Sequence, residues 1–334
     1  MKAAILRKFG PIERNPLEFA DVSIPEPAAG ELSIRVGVCG VCHTDLHTAE
    51  GELPEVGLPI IPGHQAIGIV EKTGEGCARF KKGDRIGAAW LRSACGTCRF
   101  CLNGQENLCV AGRFSGYHAA GGYAEYMTVP EKFAYAIPGT FSDEEAAPLM
   151  CAGIIGYRAL RLSGIKAGGT LGLYGFGASA HIAIQVAVHW GAKVFVFSRS
   201  RAHQELARRF GAVWTGTAHD APPSKMSGSI IFAPAGDLVP LALANTERGG
   251  IVVLAGIYMT PIPELDHRKH LAQERILRSV ANATRRDGEE LLKIATEIPI
   301  KTMVQVFALE DANIVLRRLK EGRITGAAVL KINS

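Results

Sequence analysis

The sequence predicts a two-part α/β protein, a β-rich first half followed by a doubly wound parallel sheet with helices on both faces. Three observations carry that prediction. Up to about residue 150, short apolar runs are punctuated by glycine and proline; from about 155 to 285, apolar strands alternate with helical stretches; and a glycine-rich turn joins the first of those strands to its helix. The 334 residues suit roughly two domains at ~150 residues each. With 47% hydrophobic and 21% charged residues the chain can bury a sizeable core and has no reason to be disordered. None of its segments recurs with a period of about 20–50 residues, which excludes a solenoid.

In the first half, residues 32–36 (LSIRV) and 66–70 (AIGIV) have the length and β-branched content of strands between turn signals. In the second, strands are predicted at 170–174, 193–197, 229–232, 251–254 and 277–281, with an amphipathic helix at 180–190. A helix follows at 311–321, and the apolar run at 327–330 is placed to return as a strand to the first domain, making that domain discontinuous. The 37 basic and 32 acidic residues leave a net charge of +5 spread along the chain, so neither a nucleic-acid nor a membrane partner is expected. The N-terminal apolar run is too short for a signal peptide and no stretch approaches ~18 apolar residues, so a cytoplasmic protein is expected.

Eight cysteines are too few for a disulfide scaffold, and their clustering suggests metal or redox chemistry. Cys95, Cys98, Cys101 and Cys109 fall within 15 residues. Four thiolates can enclose one zinc ion tetrahedrally, and a closed set of sulfurs leaves no position for substrate, so this group is read as structural, fixing a surface lobe. A redox-active or simply buried set is the competing reading. Cys42, His64 and Cys151 offer two sulfurs and one nitrogen, and three protein ligands leave a fourth zinc position open, as catalytic zinc requires. Spacing alone leaves this second set undecided: a lone Cys or His is usually a packed core residue, and Cys39-Gly40-Val41-Cys42 also reads as a redox pair.

The turn Gly175-Phe176-Gly177-Ala178-Ser179-Ala180 follows a strand and opens a helix. The first glycine permits the tight turn, the second lets backbone approach a pyrophosphate, and the small Ala180 lets helix and strand pack, which together predict a dinucleotide-binding Rossmann unit. At the tip of the next strand, where NAD-binding units carry a carboxylate, the chain reads Phe197-Ser198-Arg199-Ser200-Arg201. Guanidiniums and hydroxyls there would hold a 2′-phosphate, so NADP(H) is expected over NAD(H), with Ser198 and Arg199 as the contacts. Solvated surface arginines are the competing reading.

Residues 40–47 (GVCHTDLH), Pro62-Gly63-His64, the four-cysteine lobe, residues 121–126 (GGYAEY) and the segment around Cys151 appear in an order that resembles the zinc-dependent alcohol dehydrogenases of the medium-chain dehydrogenase/reductase superfamily, over nearly the whole length. The resemblance, strongest to short bacterial members, implies a GroES-like catalytic domain at 1–152 and 287–334, with a lobe at about 90–113, and a Rossmann domain at 153–286. It implies two zinc ions per chain: a catalytic one on Cys42, His64 and Cys151 and a structural one on Cys95, Cys98, Cys101 and Cys109. It also implies that Asp45 orients the ligand histidine, that Thr44 and His47 relay the proton, that His43 joins Gly175, Phe176, Gly177 and Ala178 at the cofactor, and that Trp90 narrows the slot for a primary alcohol or its aldehyde. Ordinary core packing is the other reading of Trp90. An assembly of two or four copies is a further expectation of the resemblance, and a cellular direction toward aldehyde reduction is expected if NADP(H) is the cofactor.

Two positions depart from the pattern. Gln65 stands where most relatives have Glu, and Ala327 where many have an Arg on the cofactor phosphate; Arg323 is either a substitute or a solvated charge. A polyol or threonine dehydrogenase would carry a carboxylate in place of Cys151, and a quinone reductase would lack the ligand set. A nucleotide-binding sensor that keeps the fold without turnover would have no need of Thr44, His47 and an open ligand set together.

Overall fold

A computed structural model describes residues 1–53 and 56–333. The chain forms two compact units, one of Met1–Cys151 with Asn282–Leu292 and Thr302–Ser334, the other of Ala152–Ala281 with Lys293–Lys301. The division runs through the helix Arg285–Glu297. Its first turn is tied to the first unit by Glu106, whose carboxylate accepts from the Arg285 amide at 3.0 Å, and is capped locally by Asp287, which accepts from the Thr284 amide at 2.9 Å. The segment after it is tied to the second unit by Gln185, which bonds both the amide and the carbonyl of Lys301 at 2.9 Å. Residues 293–301, expected with the first part of the chain, fall in the second unit, and residues 282–286, expected with the second, fall in the first.

The first unit is built on a seven-stranded sheet. Its order is Val304–Ala308, Ala327–Lys331, Glu31–Val41, Ala66–Thr73, Arg85–Ala88 and Ala134–Ala136, with Tyr126–Pro130 also pairing Glu31–Val41. The long strand Glu31–Val41 organises the sheet because its apolar residues Leu32, Ile34, Val36 and Cys39 are all fully buried. The returning strand Ala327–Lys331 sets Leu330 opposite Cys39, which on its other side faces Ala66, so chain end, centre and site loop share one register. A ribbon of Leu91–Ser93 and Arg113–Phe114 brackets the four-cysteine lobe.

In the second unit six strands form one parallel sheet. The spatial order is Ala212–Gly216, Lys193–Phe197, Thr170–Tyr174, Met226–Ile231, Thr246–Leu254 and Ile276–Ser279. Numbered along the unit, that is 3-2-1-4-5-6, the Rossmann order, which reverses direction beside the first strand and opens a ligand crevice there. The strand Ala212–Gly216 is missing from the sequence prediction because it lies at the sheet edge with none of its residues fully buried, and its apolar run, Ala212-Val213-Trp214, is only three residues long. The helix after the glycine turn spans Ala178–His189 and is not amphipathic: Ala180 to Ile184 are buried without a break. It covers the sheet on one side and meets the helix Ala152–Ser163 on another, where a methyl added to Gly156 would come within 2.9 Å of the Ser179 carbonyl. No helix among the described residues is long and apolar enough to cross a membrane.

Candidate functional site

The strand Glu31–Val41 runs straight into the helix His43–Glu50, and Cys42, still extended at φ −131°, caps that helix. At the third helical position Asp45 turns back and accepts the Cys42 amide at 2.9 Å. The same buried carboxylate accepts the Gly63 amide at 3.1 Å, the Tyr123 hydroxyl at 3.1 Å and the ring N–H at Nδ1 of His64 at 3.0 Å. One side chain thus ties the helix start to the turn that carries His64. That turn needs glycine at 63, where φ is +97° and a methyl would lie 2.5 Å from the Tyr123 ring.

Fixing Nδ1 as the donor leaves Nε2 of His64 as the basic nitrogen. Nε2 is buried and makes no hydrogen bond within the protein. Ligand atoms of Cys42, His64 and Cys151 all lie within 4.8 Å of one another, with the two sulfurs 4.0 Å apart. The Cys42 thiol is held well below its ordinary pKa by the neighbouring Cys151 and by His64, against the opposing pull of burial, so the pocket favours a thiolate. Two sulfurs converging on an orphaned imidazole nitrogen are a donor set that fits zinc. Cys39 is elsewhere: it is buried in the core of this unit, against Gly122. Three residues apart in extended chain, Cys39 and Cys42 point to opposite faces, and the redox-pair reading falls.

Around this centre, Oγ1 of Thr44 lies 3.7 Å from Sγ of Cys42. His47, one turn along, has its Nδ1 2.5 Å from the Glu52 carboxylate. His43, the first residue of the helix, is exposed. Gln65 is buried, its side chain flat against Gly40, where an added methyl would come within 3.0 Å of it. The half-buried Trp90 meets the His64 ring edge to face, with centroids 5.0 Å apart.

Among the described residues one other group has metal-ligand geometry, Cys95, Cys98, Cys101 and Cys109, again with sulfurs within 4.8 Å. Amides point at them: Cys98 N–H donates to Sγ of Cys95 at 3.4 Å and Cys95 N–H to Sγ of Cys109 at 3.3 Å. Amide donors from Thr97 and Cys98, with help from Cys109, pull the Cys95 thiol down to about 6. Four sulfurs with no fifth donor fit a closed tetrahedral site.

In the second unit the glycine turn lies at the carboxyl end of the strand Thr170–Tyr174. Gly175 has φ +90° and its amide bonds the Phe197 carbonyl at 2.9 Å, welding the first two strand ends together. Phe176 turns into the core, while a methyl built on Gly177 would project into open space, which is the room a pyrophosphate needs above the amides that open the helix at Ala178. At the neighbouring strand end, Ser198 is nearly buried and Arg199 exposed. Ser200, counted in the sequence among hydroxyls for a phosphate, instead caps the helix Arg201–Arg209, its Oγ accepting from the His203 amide at 3.3 Å.

A family model described as the alcohol dehydrogenase GroES-like domain matches residues 28–139. The chain is 47% identical over 337 residues to a probable alcohol dehydrogenase AdhA of Mycobacterium tuberculosis (strain CDC 1551 / Oshkosh), covering 99% of this chain and 97% of that protein. Among solved structures, an NAD-dependent alcohol dehydrogenase superposes with a TM-score of 0.91 at 26% identity, covering 100% of each chain. A cobalt- and zinc-bound thermostable alcohol dehydrogenase from Pyrobaculum aerophilum does so with a TM-score of 0.90 at 27% identity, covering 99% of each.

Proposed function

The chain belongs to the alcohol dehydrogenase family of the medium-chain dehydrogenase/reductase superfamily, and on that premise we propose that it interconverts a primary alcohol and its aldehyde at a zinc site formed by Cys42, His64 and Cys151, with NADP(H) as the preferred cofactor. The observation that carries the assignment is Nε2 of His64, buried and without a hydrogen bond beside two cysteine sulfurs. When bound, zinc supplies Lewis-acid polarisation of the substrate oxygen and the nicotinamide supplies or accepts the hydride.

The protein's own residues do the rest. Asp45 holds His64 in one tautomer and, by accepting the Cys42 amide as well, keeps nitrogen and sulfur in fixed relation. Thr44, beside Cys42, is placed to take the hydroxyl proton, and His47, on the same helix and anchored by Glu52, is the outer end of the path to solvent. Trp90 forms a wall beside the ligand histidine. Cys95, Cys98, Cys101 and Cys109 would hold a second zinc ion that folds the lobe. The reading of NADP(H) is supported by the absence of a carboxylate at 197–201 and by the exposed guanidiniums of Arg199 and Arg201.

Elemental analysis of protein purified without chelator, paired with initial rates on benzyl alcohol and benzaldehyde with each cofactor, tests the proposal. Two zinc ions per chain and faster turnover with NADP(H) are expected. One zinc ion and no turnover on any alcohol or aldehyde would leave only the lobe and support a nucleotide-binding sensor.

A further inference from the structure

We propose that Phe114 is a specificity-determining positioning residue, which clamps the Trp90 indole against His64 and so sets the width of the substrate slot. The inference rests on the zinc-site reading above and deepens it.

The main chain at Trp90 is fixed from both sides. Its carbonyl accepts the Ser115 amide at 3.0 Å, and the next residue, Leu91, pairs with Phe114 across the two-stranded ribbon. Arg92, nearly buried, pins the ribbon to the main sheet through Glu31 at 2.5 Å and the Thr128 hydroxyl at 2.9 Å. A fixed backbone still leaves the indole two torsions of freedom. What restricts them is packing. The Trp90 ring stacks on Phe114 with centroids 5.0 Å apart and planes 9° from parallel, and Tyr117, itself buried, meets it obliquely at 5.5 Å. The contact with His64 is edge to face, at 75°. Swinging one way drives the indole into His64; swinging the other requires Phe114 to leave.

Phe114 is held in turn. It stacks on the His118 ring at 5.4 Å, its amide donates to Nδ1 of His118 at 3.3 Å, and Arg113 fixes that loop by donating to the His118 carbonyl at 2.8 Å. The rings His64, Trp90, Phe114 and His118 thus form one packed row from the proposed ligand outward. In this row the ring contacts lead from Phe114 to His64 through Trp90, so removal of Phe114 should alter which substrates fit and leave the ligand geometry alone.

The test compares kcat/KM for benzyl alcohol and ethanol in the parent, Phe114→Ala and Phe114→Tyr, together with acrylamide quenching of Trp90 in a Trp190→Phe, Trp214→Phe background. Phe114→Ala should shift the benzyl-to-ethanol ratio about tenfold toward the bulkier alcohol, mainly through KM, the scale of one hydrophobic pocket contact. Its Trp90 should become more quenchable, and Phe114→Tyr should restore both values. An unchanged ratio, or an equal loss on both alcohols, overturns the proposal, as does unchanged quenching. Phe114→Leu serves if the alanine variant does not fold. Should the parent turn over no alcohol, the dehydrogenase reading fails by itself, while quenching still decides whether Phe114 fixes the indole.

Discussion

Acid should weaken the cofactor-binding unit through a single histidine. His181 lies in the helix Ala178–His189 with 0% exposure, and its Nδ1 is 3.3 Å from the carbonyl of Gly177 in the glycine turn. Burial, only partly opposed by hydrogen bonds to Gly177 and Ala178, pushes its pKa down to about 4. In the unfolded chain the imidazole titrates near its ordinary ~6.5, so below that pH the unfolded state takes up a proton that the folded state refuses. The stability in question is therefore present above about pH 6.5 and is lost as the pH falls toward about 4. At about 1.4 kcal/mol per unit the whole shift amounts to about 3 kcal/mol, and about 2 kcal/mol of it is lost between pH 7 and pH 5. His181→Leu keeps an apolar side chain of similar size and removes the titration. Urea unfolding of the two proteins, followed by the fluorescence of Trp190 and Trp214 in the same unit, should show the parent losing about 2 kcal/mol more than the variant over that interval. Equal losses would refute the reasoning, because the proton would then bind elsewhere.

Cys151→Ser should lower zinc content by one ion per chain and abolish turnover without unfolding the lobe; elemental analysis and circular dichroism on the same sample decide it, and retained zinc would remove Cys151 from the ligand set. Arg199→Asp should raise KM for NADPH about tenfold and leave NADH little changed, since a carboxylate repels a 2′-phosphate and accepts ribose hydroxyls; parallel changes for both cofactors would show that Arg199 does not read the phosphate. Gly63→Ala should cost at least about 1 kcal/mol in thermal unfolding, because φ +97° disfavours a side chain and the new methyl displaces Tyr123 from Asp45; an unperturbed melting temperature would show that the turn can relax.

Features legible in the sequence are those whose parts lie close along the chain. Cys95 to Cys109 are spaced so that a short loop brings four sulfurs together, and the structure has them within 4.8 Å. Gly175 and Gly177 sit between a strand and a helix that local periodicity identifies, and only the helix's end residues and its burial are different from the expectation. The edge strand Ala212–Gly216 escaped because its apolar run is only three residues long, and the capping role of Ser200 escaped because a serine before a helix and a serine before a phosphate look alike.

Cys42 and Cys151 stand 109 residues apart, and nothing in their spacing separates a ligand pair from two core residues. Their 4.0 Å approach, the orphaned Nε2 of His64 and the four bonds gathered by Asp45 exist only because the strand Glu31–Val41 fixes the register of the elements on either side of it. The same holds for the row of rings from His64 to His118 and for the burial of His181. Short-range order follows from the backbone preferences of neighbouring residues, which a sequence displays directly; distances across a sheet, and the loss of water around a buried group, follow from how separate segments pack, which only the folded chain decides.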